Sequence, residues 1–191
     1  MFIHQTVRRN RSEFKIKRKM KKLLVFLFVV VATLSVNAQD IYMGGTFNLW
    51  RNTDANRTNF TIAPEVGYNL SEKWAVGVTF SYAHDYLKGL KTNSVAIAPY
   101  ARFSYYENKI VRLFVDGGLG FSTSRVKDAD DAINGYEIGL QPGIALKLNK
   151  SFSLVAKCGF VGFRDDYTVK EDGFGISLRS EDLSFGFHYE F

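Results

Sequence analysis

The sequence predicts an all-β chain: an eight-stranded antiparallel up-and-down transmembrane β-barrel after a cleaved signal peptide. Three observations carry that reading. Apolar and polar residues alternate in eight successive segments, the connections between those segments are by turns short and long, and an apolar leader with a cleavage site precedes them. The 191 residues, 46% apolar and 15% aromatic, suffice for one domain. A single cysteine excludes an intrachain disulfide framework and a cysteine-rich zinc site.

In the leader, Met20-Lys21-Lys22 is followed by the apolar run Leu23–Leu34 and then by Ser35-Val36-Asn37-Ala38 before Gln39. A basic start, an apolar run too short to span a bilayer, and small residues at Val36 and Ala38 mark a secretory signal. Residues 20–38 are therefore expected to be removed. Residues 1–19, polar and basic ahead of a methionine that opens a complete signal, are expected to be a start assigned too early or an extended N-terminal region. The barrel domain is then 39–191. The net charge of +6 also sits in the leader: residues 1–38 hold nine of the 25 Lys/Arg and one of the 19 acids, leaving 16 basic against 18 acidic residues. That remainder offers no electrostatic case for nucleic acid.

The strands follow in order. Ile41–Trp50 opens the set with loose alternation. Phe60–Leu70 is regular, with Ile62, Pro64, Val66, Tyr68 and Leu70 opposed to Ala63, Glu65, Gly67 and Asn69. Trp74–Ala83 and Val95–Tyr106 fit less cleanly, and Phe114 interrupts the polar face of Val111–Ser124. Tyr136–Leu148 is regular again, from Tyr136, Ile138 and Leu140 through Leu148 on one face. Phe152–Phe163 carries Val155, Val161 and Phe163 where polar residues are expected. Leu183–Phe191 ends the chain with Phe185, Phe187, Tyr189 and Phe191 against Ser184, Gly186, His188 and Glu190.

The connections Ser71–Lys73, Glu107–Lys109 and Asn149–Ser151 are three-residue polar turns, whereas Arg51–Asn59, His84–Asn93, Val126–Asn134 and Arg164 to about Asp182 are long. Such alternation places every tight turn at one rim, with both chain ends. Ile62-Ala63-Pro64, Ile97-Ala98-Pro99 and Leu140-Gln141-Pro142 form a weak repeat with a hairpin as its unit. Proline removes a ladder donor, so a bulge or a locally missing bond is expected at each.

Alternation does not say which face is outside. Three features assign the apolar face to lipid. Small residues such as Gly67, Ala75, Gly77, Ala98, Gly139 and Gly143 crowd the other face, as a narrow eight-stranded lumen requires. Tyr68, Trp74, Tyr105, Phe152 and Tyr189 gather near the short turns as an interfacial belt, and the chain ends on an alternating strand.

The leader ending Asn37-Ala38-Gln39, the eight segments, the unit Pro64-x-x-Gly67-Tyr68 and the terminal Phe185-Gly186-Phe187-His188-Tyr189-Glu190-Phe191 together resemble the small porin-like outer membrane beta-barrel family of Bacteroidetes-type bacteria. The resemblance implies the outer membrane of a Gram-negative bacterium. It implies that the last strand, through Phe187, Tyr189 and Phe191, is read by the barrel-assembly machinery. Outer-membrane lipid and lipopolysaccharide are the expected surroundings, and a monomer is expected. The family name implies a porin; eight strands imply a lumen filled by side chains.

Assumed inward charges are Glu65, Arg102, Arg112, Asp116, Glu137, Lys147, Lys157, His188 and Glu190, with Gln141. Charges in a narrow lumen must pair, because an isolated buried ion costs several kcal/mol, so these residues are expected to form one or more charge networks that plug the barrel. No catalytic, cofactor or metal residue is expected. Ser81 and His84 have opposite parity on one strand, His84 being placed at a loop start. Asp128, Asp130 and Asp131, and Asp165, Asp166, Glu171 and Asp172, lack calcium-loop spacing. Gly117-Gly118-Leu119-Gly120 reads as strand curvature, and Cys158, beside Phe160, as a small lipid-facing residue. The expected role is structural or surface-interacting, with four extracellular loops. The alternative is a narrow porin-like channel for small solutes or ions.

Overall fold

The computed structural model describes residues 40–127, 131–169, 172–179 and 182–191. The readings of 1–19 as an extended N-terminal region and of 20–38 as a signal peptide, and Asp128, Asp130 and Glu171, lie outside them. Ten strands form one antiparallel sheet: β1 (Ile41–Asn52), β2 (Arg57–Asn69), β3 (Trp74–Leu87), β4 (Leu90–Glu107), β5 (Val111–Val126), β6 (Ala132–Lys147), β7 (Phe152–Lys157), β8 (Phe160–Asp165), β9 (Gly173–Ser177) and β10 (Ser184–Glu190). They fill eight wall positions. β7 and β8 are successive halves of one position beside β6, and β9 and β10 share the next, β9 pairing with β8 and β10 with β7. The ring closes through β10–β1 and β5–β6. This is the closed eight-stranded barrel the alternation predicts.

Two of the predicted long connections, Arg51–Asn59 and His84–Asn93, are mostly strand. β3 and β4 run on to a two-residue turn at Lys88-Gly89, both at positive φ (49° and 97°), which matches the twist of a tight hairpin. His84 is therefore not at a loop start; it lies within β3, opposite Phe60 and Asn93. Between β8 and β9 the expected open loop holds a short 3-10 turn, Tyr167–Val169.

Each proline leaves one ladder intact and interrupts the other. Pro64 pairs with Gly45 of β1, while β2–β3 pairing skips from Ile62↔Tyr82 to Glu65↔Thr79. Pro99 pairs with Val78, and β4–β5 pairing skips from Ile97↔Phe121 to Tyr100↔Gly118. At Pro142 the β6 partner itself breaks between β7 and β8, where the Cys158 N–H donates to the Pro142 carbonyl at 3.1 Å.

That break corrects the reading of the seventh segment. Gly159 sits at φ +67°, a region that side chains disfavour, and the extra residue shifts the parity of the strand. Ser153, Val155 and Lys157 are buried before it, and Phe160 and Arg164 after it. Val161 and Phe163 thus face outward rather than into the lumen. Phe160 points inward, away from the exposed Cys158.

Elsewhere the outer face is apolar and open. Phe47, Ile62, Leu140 and Phe185 are each about half exposed, as befits a surface that meets lipid rather than water. Tyr42, Phe114 and Val155 point into the ring with almost no exposure. Glycines make room for them: a Cβ at Gly67 would collide with the Tyr42 ring, and one at Gly143 with the Phe114 ring.

Candidate functional site

The lumen is the site, and its chemistry begins with strand register. Arg102 of β4 and Asp116 of β5 are direct cross-strand partners, and the guanidinium makes a bidentate pair, Nε to Oδ1 at 2.6 Å and Nη2 to Oδ2 at 2.8 Å. Glu65 of β2 and His188 of β10 both lie opposite Gly44 of β1; with no side chain between them, the imidazole Nε2 meets the carboxylate. Lys157 of β7 joins the two acids, donating to Glu65 at 2.7 Å and lying 3.1 Å from Asp116. Arg102 also donates to Glu65 at 3.5 Å and lies under three rings, Phe114 at 4.1 Å, Tyr100 at 5.2 Å and Tyr42 at 5.4 Å. The Tyr42 and Tyr100 hydroxyls bond at 2.7 Å. All five charged or ionisable side chains are 8% exposed or less, so each depends on the others for its stability in the wall-lined interior.

The remaining predicted charges do not join this centre. Arg112, Lys147 and Glu190 form a second set at the tight-turn rim around Glu107, with Arg112 bonding Glu107 at 2.9 Å and Glu190 at 2.8 Å and Lys147 bonding Glu107. These side chains are 17–32% exposed, and water screens them. The sequence places Glu107 in a turn; in the structure β4 continues through it, past a register shift between Ser104 and Tyr106, and Glu107 pairs with Arg112 across the ladder. Glu137 pairs with Arg164 at 2.8 Å, not with Arg102, Arg112, Lys147 or Lys157. Arg164, expected to open the long connection, lies instead within β8, on the inward face that the parity shift at Gly159 creates. Its guanidinium lies 3.6 Å over the Phe160 ring and 3.9 Å from Asp182.

Above the Arg102 centre lies a cavity of about 190 Å³, lined by hydroxyls and amides including Thr46, Asn59, Thr61, Thr79, Ser81 and Gln141. A second cavity of about 280 Å³ on the β9 side shares Asn59, Phe160, Arg164 and Asp182 with it. Tyr167 lines the first cavity, its hydroxyl bonding Glu137 and Ser81; burial raises its phenol above the ordinary range, so it remains a neutral group. The Thr168 N–H donates to the Ser122 hydroxyl at 3.1 Å.

The other candidates do not assemble. Ser81 lines the lumen, whereas His84, on the opposite face of β3, bonds the Asn93 side chain at 2.7 Å. Asp172 accepts from the Asp166 backbone N–H at 2.7 Å, an internal loop bond. Among the described residues no three His, Cys, Asp or Glu side chains converge on a metal-sized point.

The family model of the outer membrane protein beta-barrel domain matches residues 23–191. The chain belongs to this family. It is an outer-membrane protein of a Gram-negative bacterium. Among solved structures this barrel is similar to Neisserial surface protein A (TM-score 0.58, 12% identity), with 79% of this chain and 96% of that one covered. It is also similar to the Yersinia pestis outer membrane protein Ail in a phospholipid bilayer nanodisc, with a TM-score of 0.45, 15% identity, and 80% and 99% of the two chains covered. At these identities the likeness bears on the fold alone. No curated protein sequence matches the chain. In outer-membrane barrels short turns face the periplasm, which places the Glu107 rim there and the long hairpins outside.

Proposed function

We propose that this outer-membrane barrel is a structural or surface-interaction protein, non-enzymatic and monomeric, with a lumen closed by its own side chains. The observation that carries the reading is the Arg102 centre. Five interlocked side chains and three rings from six wall strands meet where a channel would have to pass. An ion crossing it would have to separate buried pairs, at a cost of several kcal/mol. The extended β1–β2, β3–β4 and β5–β6 hairpins are the surface it presents outward. Its surroundings are outer-membrane lipid and lipopolysaccharide. In this reading the leader is a signal peptide, and Phe187, Tyr189 and Phe191 on the outer face of the last strand are read by the assembly machinery.

The second reading is a narrow porin-like channel, favoured by the polar cavity above the centre. Planar-bilayer recording of the folded 39–191 chain separates the two. The plugged barrel gives negligible or flickering current, whereas a steady open channel in the wild type establishes the transport reading instead.

A further inference from the structure

The outer wall of β3 to β6 changes character row by row. Phe80, Ile97, Phe121 and Tyr136, each opposite the next, form an apolar row that faces lipid. The next outward row, Tyr82, Val95, Thr123 and Asn134, is mixed, with Thr123 donating to Asn134 at 2.9 Å. Above it stand His84, Asn93, Arg125 and Ala132. Beyond Arg125 the Lys127 N–H donates to the Lys91 carbonyl at 2.7 Å, which sets these two exposed lysines side by side on the outward face. From Phe103, opposite Trp74 near the tight turns, to Asn93 is ten residues of β4. At about 3.4 Å per residue and a tilt of about 40°, that span rises about 25 Å along the membrane normal, the height of the apolar band. Arg125, Lys91 and Lys127 therefore stand where hydrocarbon gives way to headgroups.

Nothing in the wall neutralises these cations. Lys91, Arg125 and Lys127 take no part in the ion pairs among the described residues. Asp85, the acid within β3, points inward and pairs with Arg57 at 2.9 Å. Asp131 is exposed at the hairpin tip, beyond the last paired row Arg125↔Ala132. Arg51, also on the outer side, differs: it is engaged by Thr58 and Asn56 of its own hairpin. Like charges on cross-strand neighbours repel, so an arrangement of three is unfavourable unless an anion joins it. Asn93, in the Arg125 row, accepts from Tyr82 at 2.9 Å, and the His84 Nδ1 lies 2.7 Å from the same oxygen. That leaves the Asn93 amide nitrogen as a neutral donor beside the cations.

We propose that Lys91, Arg125 and Lys127, with Asn93, form a binding site on the outer wall for the phosphate groups of lipid A in the outer leaflet. A phosphorylated glycolipid meets both features of the surface at once. Its acyl chains lie against Phe80, Ile97 and Phe121, and its phosphates accept charge-assisted hydrogen bonds from the cations above them. The assignment rests on lipopolysaccharide being among the barrel's surroundings and is independent of the plugged lumen.

The full chain is expressed in a Gram-negative host, extracted from outer membranes in mild detergent and stripped of lipid. It is then titrated with bisphosphorylated lipid A, dephosphorylated lipid A or phosphatidylglycerol, and native mass spectrometry counts one-to-one complexes. The wild type takes bisphosphorylated lipid A in preference to the other two. Lys91→Gln, Arg125→Gln and Lys127→Gln each weaken binding about fivefold, and the triple variant about a hundredfold. Lys91→Arg with Lys127→Arg, which keeps the charge, binds like the parent. Lys73→Gln, Lys109→Gln and Lys150→Gln together remove the same charge from exposed positions in the tight turns and leave the affinity unchanged. Unchanged affinity in the Lys91, Arg125 and Lys127 triple variant, or an equal loss in the tight-turn variant, overturns the site. So does binding that magnesium removal abolishes and the charge substitutions leave intact, because acids bridged by the cation then hold the lipid. A wild type with no preference for bisphosphorylated lipid A overturns the site together with lipopolysaccharide as its surroundings. Conductance reads the plug separately.

Discussion

Replacing Glu65 by alanine removes the least exposed carboxylate of the lumen, with a side chain at 1% exposure. That group accepts from Lys157 at 2.7 Å, from His188, and from Arg102 and Thr79 at 3.5 Å. After Glu65→Ala, Arg102 keeps its bidentate pair, and Lys157 has only Asp116 at 3.1 Å, so two cations share one acid. Removing one partner from a buried ion pair costs about 3–5 kcal/mol, a large share of the 5–15 kcal/mol or so that holds a typical domain folded. Lys157→Met in the same chain restores charge balance, leaving the Arg102–Asp116 pair, so the double variant should recover about 1–3 kcal/mol relative to additivity. Urea unfolding in liposomes, followed by the fluorescence of Trp50 and Trp74, reads both quantities. The rim supplies an internal control: Glu107→Ala, whose partners are partly wet, should cost about 0–1 kcal/mol. If Glu65→Ala costs no more than Glu107→Ala and adds linearly with Lys157→Met, water screens the lumen and the plug does not exist.

Leu140 is half exposed on the outer face of β6, and Leu140→Arg should cost about 2–4 kcal/mol of bilayer-folded stability, as for charges near the midplane of other barrels; a harmless substitution means that this face does not meet lipid. Gly159→Ala forces a side chain into φ +67° against Leu178 and should cost about 1–3 kcal/mol by the same urea assay, whereas Gly139→Ala at a negative φ tests ring crowding against Phe160 instead. N-terminal sequencing of outer-membrane material should begin at Gln39, and a start at Met1 or Met20 rules out cleavage after Ala38.

Alternation made the wall legible because the barrel has two solvents, lipid outside and a crowded polar lumen inside, and every regular strand records both. Tyr136–Leu148 shows this over its full length. The loop boundaries were less legible: His84 and Asp85 look like turn residues, yet above the apolar belt both strand faces become polar and the period fades while the ladder continues. The inward charges were legible as a set but not as pairs, since pairing depends on register between strands. Arg102 meets Asp116 because they are opposite, and no property of either residue alone says so. Glu137 had no legible partner for a further reason. Its partner, Arg164, stands beyond Gly159, where one residue at positive φ inverted the parity on which the inward list was built.

The three prolines divide the wall unevenly, and the division has a mechanical meaning. Pairing runs unbroken within β1–β2, from Ile41↔Tyr68 to Asn52↔Arg57, within β3–β4, from Trp74↔Phe103 to Leu87↔Leu90, and within β5–β6, from Val111↔Leu146 to Arg125↔Ala132. Every interruption falls between these ribbons: at β2–β3, at β4–β5 and at the β6 junction with β7 and β8. Three stiff ribbons joined along softer seams can each zip from their own outer turn before the seams are sewn. In the finished barrel, thermal breathing is then concentrated at the proline seams, and amide exchange should be fastest in the strand residues that face them.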